Sequence, residues 1–238
     1  MLLLRSLLFN LLFYLNTLLW LLLALPTFFL PYRAVMWIAK SWGRCNLVLL
    51  HLAGIDYDIR GREKIPQGPL IVAAKHQSAW ETFALLPLFD NPFFIVKREL
   101  QWLPIFGWLM MKGRMVPVDR GAGSKALNAM TERARAELAK GRQLIIFPEG
   151  TRRPAGAEPR YKYGVAQLYA AEGVPCVPVA LNSGLFWPRR SILLHPGTVL
   201  VEVLDPIAPG LDKDAFLERL RYDIETATAR LIAEAKSV

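Results

Sequence analysis

Charged side chains follow four short apolar runs of the chain, where strands would end. In chain order they are Lys75-His76 after Leu70–Ala74, Lys97-Arg98 after Phe93–Val96, Asp119-Arg120 after Met115–Val118, and Glu149 with Arg152 after Leu144–Phe147. The carboxyl ends of parallel strands share one edge of a sheet, where open α/β folds place their ligand. One polar strand end would be an ordinary loop, whereas four in series favour a site with one histidine and several cations.

His76 and Glu81 are the pair best suited to acid–base chemistry. On a continuous helix they would lie about 140° apart, so they meet only if His76 precedes the helix and Glu81 lies in its first turn. The spacing Ser78-x-x-Glu81 is that of a capping box, which favours this placement. In one interpretation Glu81 orients His76 as a general base. In the other, Glu81 only caps the helix and His76 is a loop residue.

The run Phe147-Pro148-Glu149-Gly150-Thr151-Arg152 has the composition of an anion-binding turn. It combines two turn-forming residues with a guanidinium suited to bidentate contact with phosphate. Taken alone, the segment is equally compatible with a solvated turn.

Together these segments resemble the sequence blocks of the 1-acyl-sn-glycerol-3-phosphate acyltransferases, a family of glycerolipid acyltransferases. His76 with Glu81 is similar to the family's His-x4-Asp block. The other three blocks, in order, are Gly113–Arg120, Phe147–Arg152 and Val174–Val179. Glu81 stands where the family usually has Asp, and its extra methylene keeps the charge but shifts the carboxylate oxygens.

The resemblance implies transfer of an acyl chain from acyl-CoA or acyl carrier protein to the 2-hydroxyl of lysophosphatidate, giving phosphatidate. His76 would be the general base and Glu81 its orienting partner. The implied phosphate-binding residues are Lys97, Arg120, Glu149, Gly150, Thr151 and Arg152. No metal and no bound cofactor are implied, since the acyl thioester is a co-substrate.

Three alternatives stay open. A covalent acyl-enzyme would need Ser78 or Cys176, but Ser78 lacks a G-x-S-x-G elbow and Cys176 lies in a run typical of a buried strand. The same chemistry could act on another lysolipid, such as a lyso-ornithine lipid or a lysophospholipid remodelling substrate. A non-enzymatic, basic membrane-binding protein would explain the charge but not the blocks around His76 and Arg152.

The composition narrows the class of protein. The 238 residues carry a formal net charge of +9 and are 53% hydrophobic, which excludes a disordered chain. Such charge suits a nucleic acid, an anionic membrane or a phosphorylated ligand, and the apolar N-terminus favours the membrane over nucleic acid. Two cysteines and three histidines exclude a disulfide scaffold and argue against a multi-histidine metal site.

Residues 1–54 are predicted to be hydrophobic, membrane-anchoring helices. Residues 6–26 contain no charge and would form a helix of about 30 Å, the thickness of a bilayer core. A secretory signal would have a shorter apolar core and a small-residue cleavage site; a buried core helix is the third interpretation. A second stretch, Ala34–Ala53, carries Lys40, Arg44 and His51 on one narrow stripe, typical of a helix in the membrane interface.

If the first apolar segment spans the membrane, the basic residues predict that the downstream domain lies on the cytoplasmic side of a bacterial inner membrane. Those after the first apolar segment outnumber the single Arg5 before it: Arg33, Lys40, Arg44, Arg60 and Arg62. Cytoplasmic flanks carry such an excess. The pattern is compatible with a full span and with insertion into one leaflet.

Residues 55–238 are predicted to form the acyltransferase domain. Two further strand-like runs, Cys176–Leu181 and Val199–Leu204, join the four above, and helical patterns cover Ser124–Lys140, Tyr163–Glu172 and roughly Asp212–Lys236. This alternation predicts an α/β fold with a mainly parallel sheet flanked by helices, preceded by a two-helix membrane motif.

Overall fold

The computed structural model of the protein describes residues 1–119 and 123–236. These residues form a three-layer α/β/α sandwich around a seven-stranded sheet. The strands are β1 (Ile55–Arg60), β2 (Leu70–Ala74), β3 (Pro92–Lys97), β4 (Val116–Val118), β5 (Gln143–Ile146), β6 (Cys176–Leu181) and β7 (Gly197–Val203). The α-helices are α1 (Leu2–Leu23), α2 (Tyr32–Leu50), α3 (Trp80–Ala84), α4 (Phe106–Lys112), α5 (Gly123–Leu138), α6 (Gly164–Glu172) and α7 (Lys213–Lys236).

Five neighbouring strands run parallel and share one continuous carboxyl edge. The order across the sheet is β1-β7-β6-β2-β5-β3-β4, and β6, β2, β5, β3 and β4 are each parallel to their neighbours in this series. β7 is antiparallel to β6, and β1 pairs in parallel with β7. The predicted mainly parallel sheet is confirmed, and the four strands that end in charged residues lie side by side.

The alternation of side chains along β2 divides the core into two halves. Its even-numbered residues face the layer of α1, α2 and α3, whereas Ile71 and Ala73 face α5, α6 and α7. Because both faces are covered, every residue of the strand is buried and the sequence is continuously apolar. Continued past the end of the strand, this alternation directs Lys75 toward the α7 layer and His76 toward the α3 layer.

The sequence patterns did not predict β1 or α4, and they predicted α3 only through the capping box at Ser78-x-x-Glu81. In β1 the even-numbered residues Asp56, Asp58 and Arg60 are exposed, so this edge strand alternates polar and apolar residues instead of forming an apolar run. Helices α3 and α4 have five and seven residues, too few for a helical periodicity to be visible.

Helices α1 and α2 pack directly against the α/β part of the chain. Phe9 is fully buried with its ring centroid 5.3 Å from that of Trp187, and Phe13 lies 6.0 Å from Phe83. Gly43 of α2 approaches α3 so closely that a Cβ atom there would lie 2.6 Å from the carbonyl oxygen of Phe83. Strand β1 begins at Ile55, and the residues before and after this point share one hydrophobic core.

The outward side of α1 is a surface of leucines. Ser6 and Phe9 are its buried residues. The exposed leucines include Leu4, Leu7, Leu8, Leu11, Leu15, Leu18, Leu19 and Leu22. Among the residues that the structure describes, Leu2–Phe29 is the one helical segment long and apolar enough to cross a membrane. Such exposure does not fit a buried core helix, and it suggests membrane association.

A fully buried guanidinium joins α5 to the amino end of β3 and the end of α4. Arg142 donates hydrogen bonds to the Glu137 carboxylate at 2.8 Å and to the carbonyl oxygens of Pro92 and Gly113 at 2.9 and 3.2 Å. Burial alone would raise the pKa of Glu137, but hydrogen bonds from Lys140 and Arg142 hold it below its usual value. Each buried charge is therefore compensated by the other.

Replacing Arg142 by Met should lower the free energy of unfolding by about 3–5 kcal/mol, because Glu137 loses its buried partner and the carbonyl groups of Pro92 and Gly113 lose their donor. Urea unfolding in detergent measures this change. The control Arg219→Met removes an exposed ion pair with Asp223 on α7 and should cost about 1 kcal/mol or less. Equal losses in the two variants would contradict the structural role of Arg142.

Candidate active site

His76 and Glu81 meet at the carboxyl end of β2. His76 lies in the loop that follows the strand, and Glu81 lies in the first turn of α3, with Nδ1 and Oε1 2.9 Å apart. The Glu81 side chain is fully buried, and that of His76 is 13% exposed. A carboxylate only accepts hydrogen bonds, so Nδ1 of His76 carries a proton and donates a hydrogen bond to Glu81. In the neutral imidazole of this tautomer, Nε2 is the nitrogen with the free lone pair and is the atom that can accept a proton.

The Glu81 carboxylate accepts three further hydrogen bonds. Oε1 accepts the backbone N–H groups of Gln77 and Ser78 at 2.5 and 2.7 Å, and Oε2 accepts the hydroxyl of Ser183 at 2.8 Å. These donors compensate a negative charge that would otherwise be costly to bury. The role of Ser183 was not predicted from the sequence. It lies 102 residues from Glu81 and reaches it only because β6 neighbours β2.

The predicted capping box is formed in part. Glu81 accepts the backbone N–H of Ser78, but the Ser78 hydroxyl accepts from the N–H of Trp80, at 3.0 Å, and not from that of Glu81. The helix begins at Trp80, and Ala79 occupies the N-cap position. Glu81 thus closes the loop before α3 and binds His76 with the same oxygen, so the two interpretations of this residue are compatible.

The loop that follows β5 contacts His76 directly. The Phe147 ring stacks on the imidazole, with centroids 3.9 Å apart, and the backbone N–H of Arg153 donates to the His76 carbonyl at 2.9 Å. Gly150 has a φ of +66°, a left-handed conformation that favours glycine, and its N–H donates to the Phe147 carbonyl. The N–H of Gly150 therefore holds the turn together and is not directed at a ligand.

Glu149 points into the protein, which corrects its predicted role in phosphate binding. Its side chain is buried, and its Oε1 lies 3.2 Å from Nζ of Lys75 and 3.8 Å from Nε of Arg153. Burial raises the pKa of the Glu149 carboxyl, and the charge of Lys75 opposes that shift. A carboxylate engaged with interior cations does not bind an anion, so we assign Glu149 to the frame of the loop.

Lys97 lies on the same edge of the sheet as His76. The strand ladders place Val72, Ile145 and Phe94 side by side on β2, β5 and β3. His76 is four residues beyond Val72, and Lys97 is three residues beyond Phe94, so the two lie at nearly the same level. They are two strands apart, which corresponds to about 10 Å across the sheet. The Lys97 side chain is exposed and pairs with the exposed Glu99 at 3.4 Å. A phosphate can therefore replace Glu99 as its partner at little cost in lost hydration.

Arg152 and Thr151 lie in the loop between His76 and this cation. Arg152 is half-buried and Thr151 is exposed. The carbonyl of Arg152 accepts a hydrogen bond from the Arg189 guanidinium at 3.0 Å, so the segment after β6 supports the loop. The remaining predicted phosphate ligand, Arg120, lies outside the described residues.

The two candidate nucleophiles for a covalent mechanism are poorly placed. The Ser78 hydroxyl is buried and engaged with the backbone of α3. Cys176 is fully buried in β6, and burial raises the pKa of its thiol well above the usual range. A thiol that resists ionisation is a weak nucleophile. The arrangement therefore favours direct transfer to an acceptor activated by a base.

Comparison with known proteins identifies the family. The family model described as "Acyltransferase" matches residues 56–182, just over half of the chain. A 1-acyl-sn-glycerol-3-phosphate acyltransferase of Pseudomonas aeruginosa is 37% identical over 176 residues, which cover 73% of this chain and 68% of that protein. Human 1-acyl-sn-glycerol-3-phosphate acyltransferase alpha is 28% identical over 201 residues, covering 80% of this chain and 71% of the human protein.

A solved structure shares the fold over nearly the whole length. The crystal structure of the 1-acyl-sn-glycerophosphate (LPA) acyltransferase PlsC from Thermotoga maritima superposes with a TM-score of 0.83, covers 98% of both chains and is 24% identical. That likeness shows the fold, and the match to the family model together with the Pseudomonas relative shows the family. The chain belongs to the acyltransferase family and, within it, to the 1-acyl-sn-glycerol-3-phosphate acyltransferases.

Proposed function

We propose that the protein transfers an acyl chain from acyl-CoA or acyl carrier protein to the 2-hydroxyl of 1-acyl-glycerol-3-phosphate, giving phosphatidate. The observation that carries the proposal is the hydrogen bond between His76 and Glu81 at a sheet edge that also bears Lys97. The names of the Pseudomonas and human relatives support lysophosphatidate as the acceptor.

His76 acts as the general base in this reaction. Its Nε2 removes the proton of the 2-hydroxyl while that oxygen attacks the thioester carbonyl carbon, giving a tetrahedral oxyanion. When the oxyanion collapses, the carbon–sulfur bond breaks and the imidazolium gives the proton to the departing thiolate, which leaves as the thiol. Glu81 stabilises the imidazolium between these steps, and its buried position strengthens the attraction.

The acceptor's phosphate binds Lys97 and Arg152, which places its 2-hydroxyl at His76. Arg152 follows β5 and Lys97 ends β3; these are the two strands next in order on one side of β2, whose end carries the base. A phosphate bound by two such cations fixes the acceptor relative to Nε2, which converts binding energy into orientation. Another lysolipid, such as a lyso-ornithine lipid, lacks this phosphate and would use the same base without the same anchoring.

The protein works on a membrane, with its catalytic domain on the cytoplasmic side and α1 inserted in one leaflet. The Ser6 hydroxyl accepts the Leu194 N–H at 2.9 Å, and the Asn10 amide donates to the Ile192 carbonyl at 2.9 Å. Farther along α1, the Trp42 indole donates to the Thr17 hydroxyl at 3.1 Å. These contacts hold three turns of α1 against the rest of the fold, which supports partial insertion over an independent span.

A second apolar patch extends this membrane-facing surface. It consists of the exposed side chains Trp102, Leu103, Trp108 and Met111, and α4 packs through Leu109 against α2. Tryptophan is enriched at membrane–water interfaces. Because the patch follows Lys97 closely in the chain, its insertion brings the phosphate site to the level of the lipid headgroups, where lysophosphatidate resides.

Variants of His76 and Glu81 test the catalytic proposal. His76→Ala should abolish acyl transfer, and Glu81→Gln should slow it by roughly 10²–10⁴-fold, because the amide keeps the loop bonds but loses the charge that stabilises the imidazolium. Glu81→Asp should retain substantial activity. Initial rates and melting temperatures in one detergent provide the measurement.

His51→Ala is the matched histidine control, since His51 is exposed at the end of α2 and should be dispensable. A Glu81→Gln variant with parental rate and stability would show that Glu81 only closes the loop. Substantial activity in His76→Ala would remove the general-base role altogether.

The phosphate variants test the acceptor. Lys97→Ala and Arg152→Ala should each raise the KM for lysophosphatidate about ten- to a hundredfold, because a charge-assisted contact is worth about 1.5–3 kcal/mol. Use of an uncharged monoacylglycerol should be unaffected, and Arg133→Ala, exposed on α5, is the control. Liposome assays with labelled acyl-CoA or acyl carrier protein and a panel of lysolipids measure these constants. A higher kcat/KM for a lysolipid without the phosphate monoester would reject lysophosphatidate as the acceptor.

Membrane topology provides a separate test. If α1 stays in one leaflet, epitopes placed at the N-terminus and at the C-terminus should both be digested by protease added to inverted inner-membrane vesicles. We expect both ends on the same side of the membrane, because hydrogen bonds hold α1 against the rest of the fold. Protection of the N-terminal epitope alone would establish a full span instead.

A further inference from the structure

Lys75, the residue before His76, is buried in an ion cluster on the opposite side of the sheet edge. Its side chain is 3% exposed, and Nζ lies 2.7 Å from Oε1 of Glu225 on α7 and 3.2 Å from Oε1 of Glu149. The hydroxyl of Tyr161 also donates to Glu225 at 3.0 Å. This Lys75 cluster, defined as Lys75, Glu149 and Glu225, joins the end of β2, the loop after β5 and the middle of α7.

The chemistry derived above makes no use of the Lys75 cluster. Its α7 member lies outside the family match, which ends at residue 182. Stability is a weak explanation for it, because a buried ion pair is often no better for folding than apolar residues of the same volume. What sets the cluster apart is that its lysine is covalently adjacent to the base.

The cluster completes a frame around the backbone of His76. Before it, the Lys75 N–H donates to the Val179 carbonyl on β6, and after it the His76 carbonyl accepts the N–H of Arg153, both at 2.9 Å. Burial raises the pKa of Glu149, and Lys75 and the backbone N–H of His76 oppose that shift. Lys75 is drawn toward α7 while Glu81 holds the His76 ring on the other side.

We propose that Lys75 and Glu225 are positioning residues, whose ion pair fixes the His76 peptide so that Nε2 points at the acceptor hydroxyl. Through Glu225, helix α7 becomes part of the active-site frame. The inference rests on the proposed role of His76 as general base. A displacement of about 1 Å at a catalytic group can cost about 10²-fold in rate, so the effect belongs in kcat and not in acceptor binding.

The variants separate positioning from binding. Lys75→Met should lower kcat by about 10²-fold, and Glu225→Gln, which keeps an oxygen for Lys75, by about 3- to 10-fold. The KM for lysophosphatidate should change by less than about twofold, because Lys97 and Arg152 are untouched. Lys75→Arg should be at least about tenfold faster than Lys75→Met, since its guanidinium can bind both carboxylates.

A double variant shows whether Glu225 acts through Lys75. Lys75→Met/Glu225→Gln should be no slower than Lys75→Met alone, because residues that act as one unit are not additive. The matched control is Glu202→Gln, which breaks another ion pair between α7 and the sheet, with Arg230, and should leave kcat unchanged. If Lys75→Met does not fold, the test compares the kcat values of Glu225→Gln and Lys75→Arg with that of Glu202→Gln.

Two results would overturn the inference. Additive losses in the double variant, or an equal loss in Glu202→Gln, would mean that the cluster acts only through the general stability of α7. Parental kcat in Lys75→Met and Glu225→Gln, with His76→Ala inactive, would remove the positioning role and leave the proposed function intact. Activity in His76→Ala would instead remove the proposed function itself.

Discussion

A fully buried carboxylate is the group on which the arrangement of the catalytic edge depends. Glu81 accepts hydrogen bonds from the His76 ring, from two backbone N–H groups of the loop before α3 and from the Ser183 hydroxyl. Burying this charge without those donors would cost several kcal/mol. The loop conformation, the tautomer of His76 and the contact with Ser183 therefore all meet one requirement, the compensation of this buried charge.

The two faces of the sheet contribute differently to the same histidine. On the α3 side, Glu81 and Phe147 orient the imidazole ring. On the α7 side, Lys75 and Glu149 lie beneath the backbone. Because side chains alternate across a strand, consecutive residues can serve the ring and the peptide separately. The N-terminal helices join this arrangement through Gly43 of α2, which allows close packing on α3, the helix that carries Glu81.

The sequence predicted what depends on local pattern and missed what depends on which strands become neighbours. Runs such as Leu70–Ala74 are apolar because both faces are covered, and they gave the strands and hence the charged edge. Ser183 and Glu225 could not be recognised, since each reaches the site from more than 100 residues away through the sheet order. Glu149 was misassigned because composition does not show whether a carboxylate in a loop turns inward toward Lys75.

The glutamate at position 81 has a structural consequence of its own. One carboxylate oxygen binds His76 and the loop before α3, and the other oxygen binds Ser183. An aspartate, which the family pattern usually places here, is one methylene shorter and would need to give up one of these partners or draw the α3 backbone inward. Gly184 donates its N–H to Gln77 at 3.0 Å, and a Cβ there would lie 2.9 Å from the Gln77 side chain, so the loops are already in contact. The longer side chain therefore matches a fixed separation between β6 and α3, and Ser183 is the residue that makes glutamate suitable.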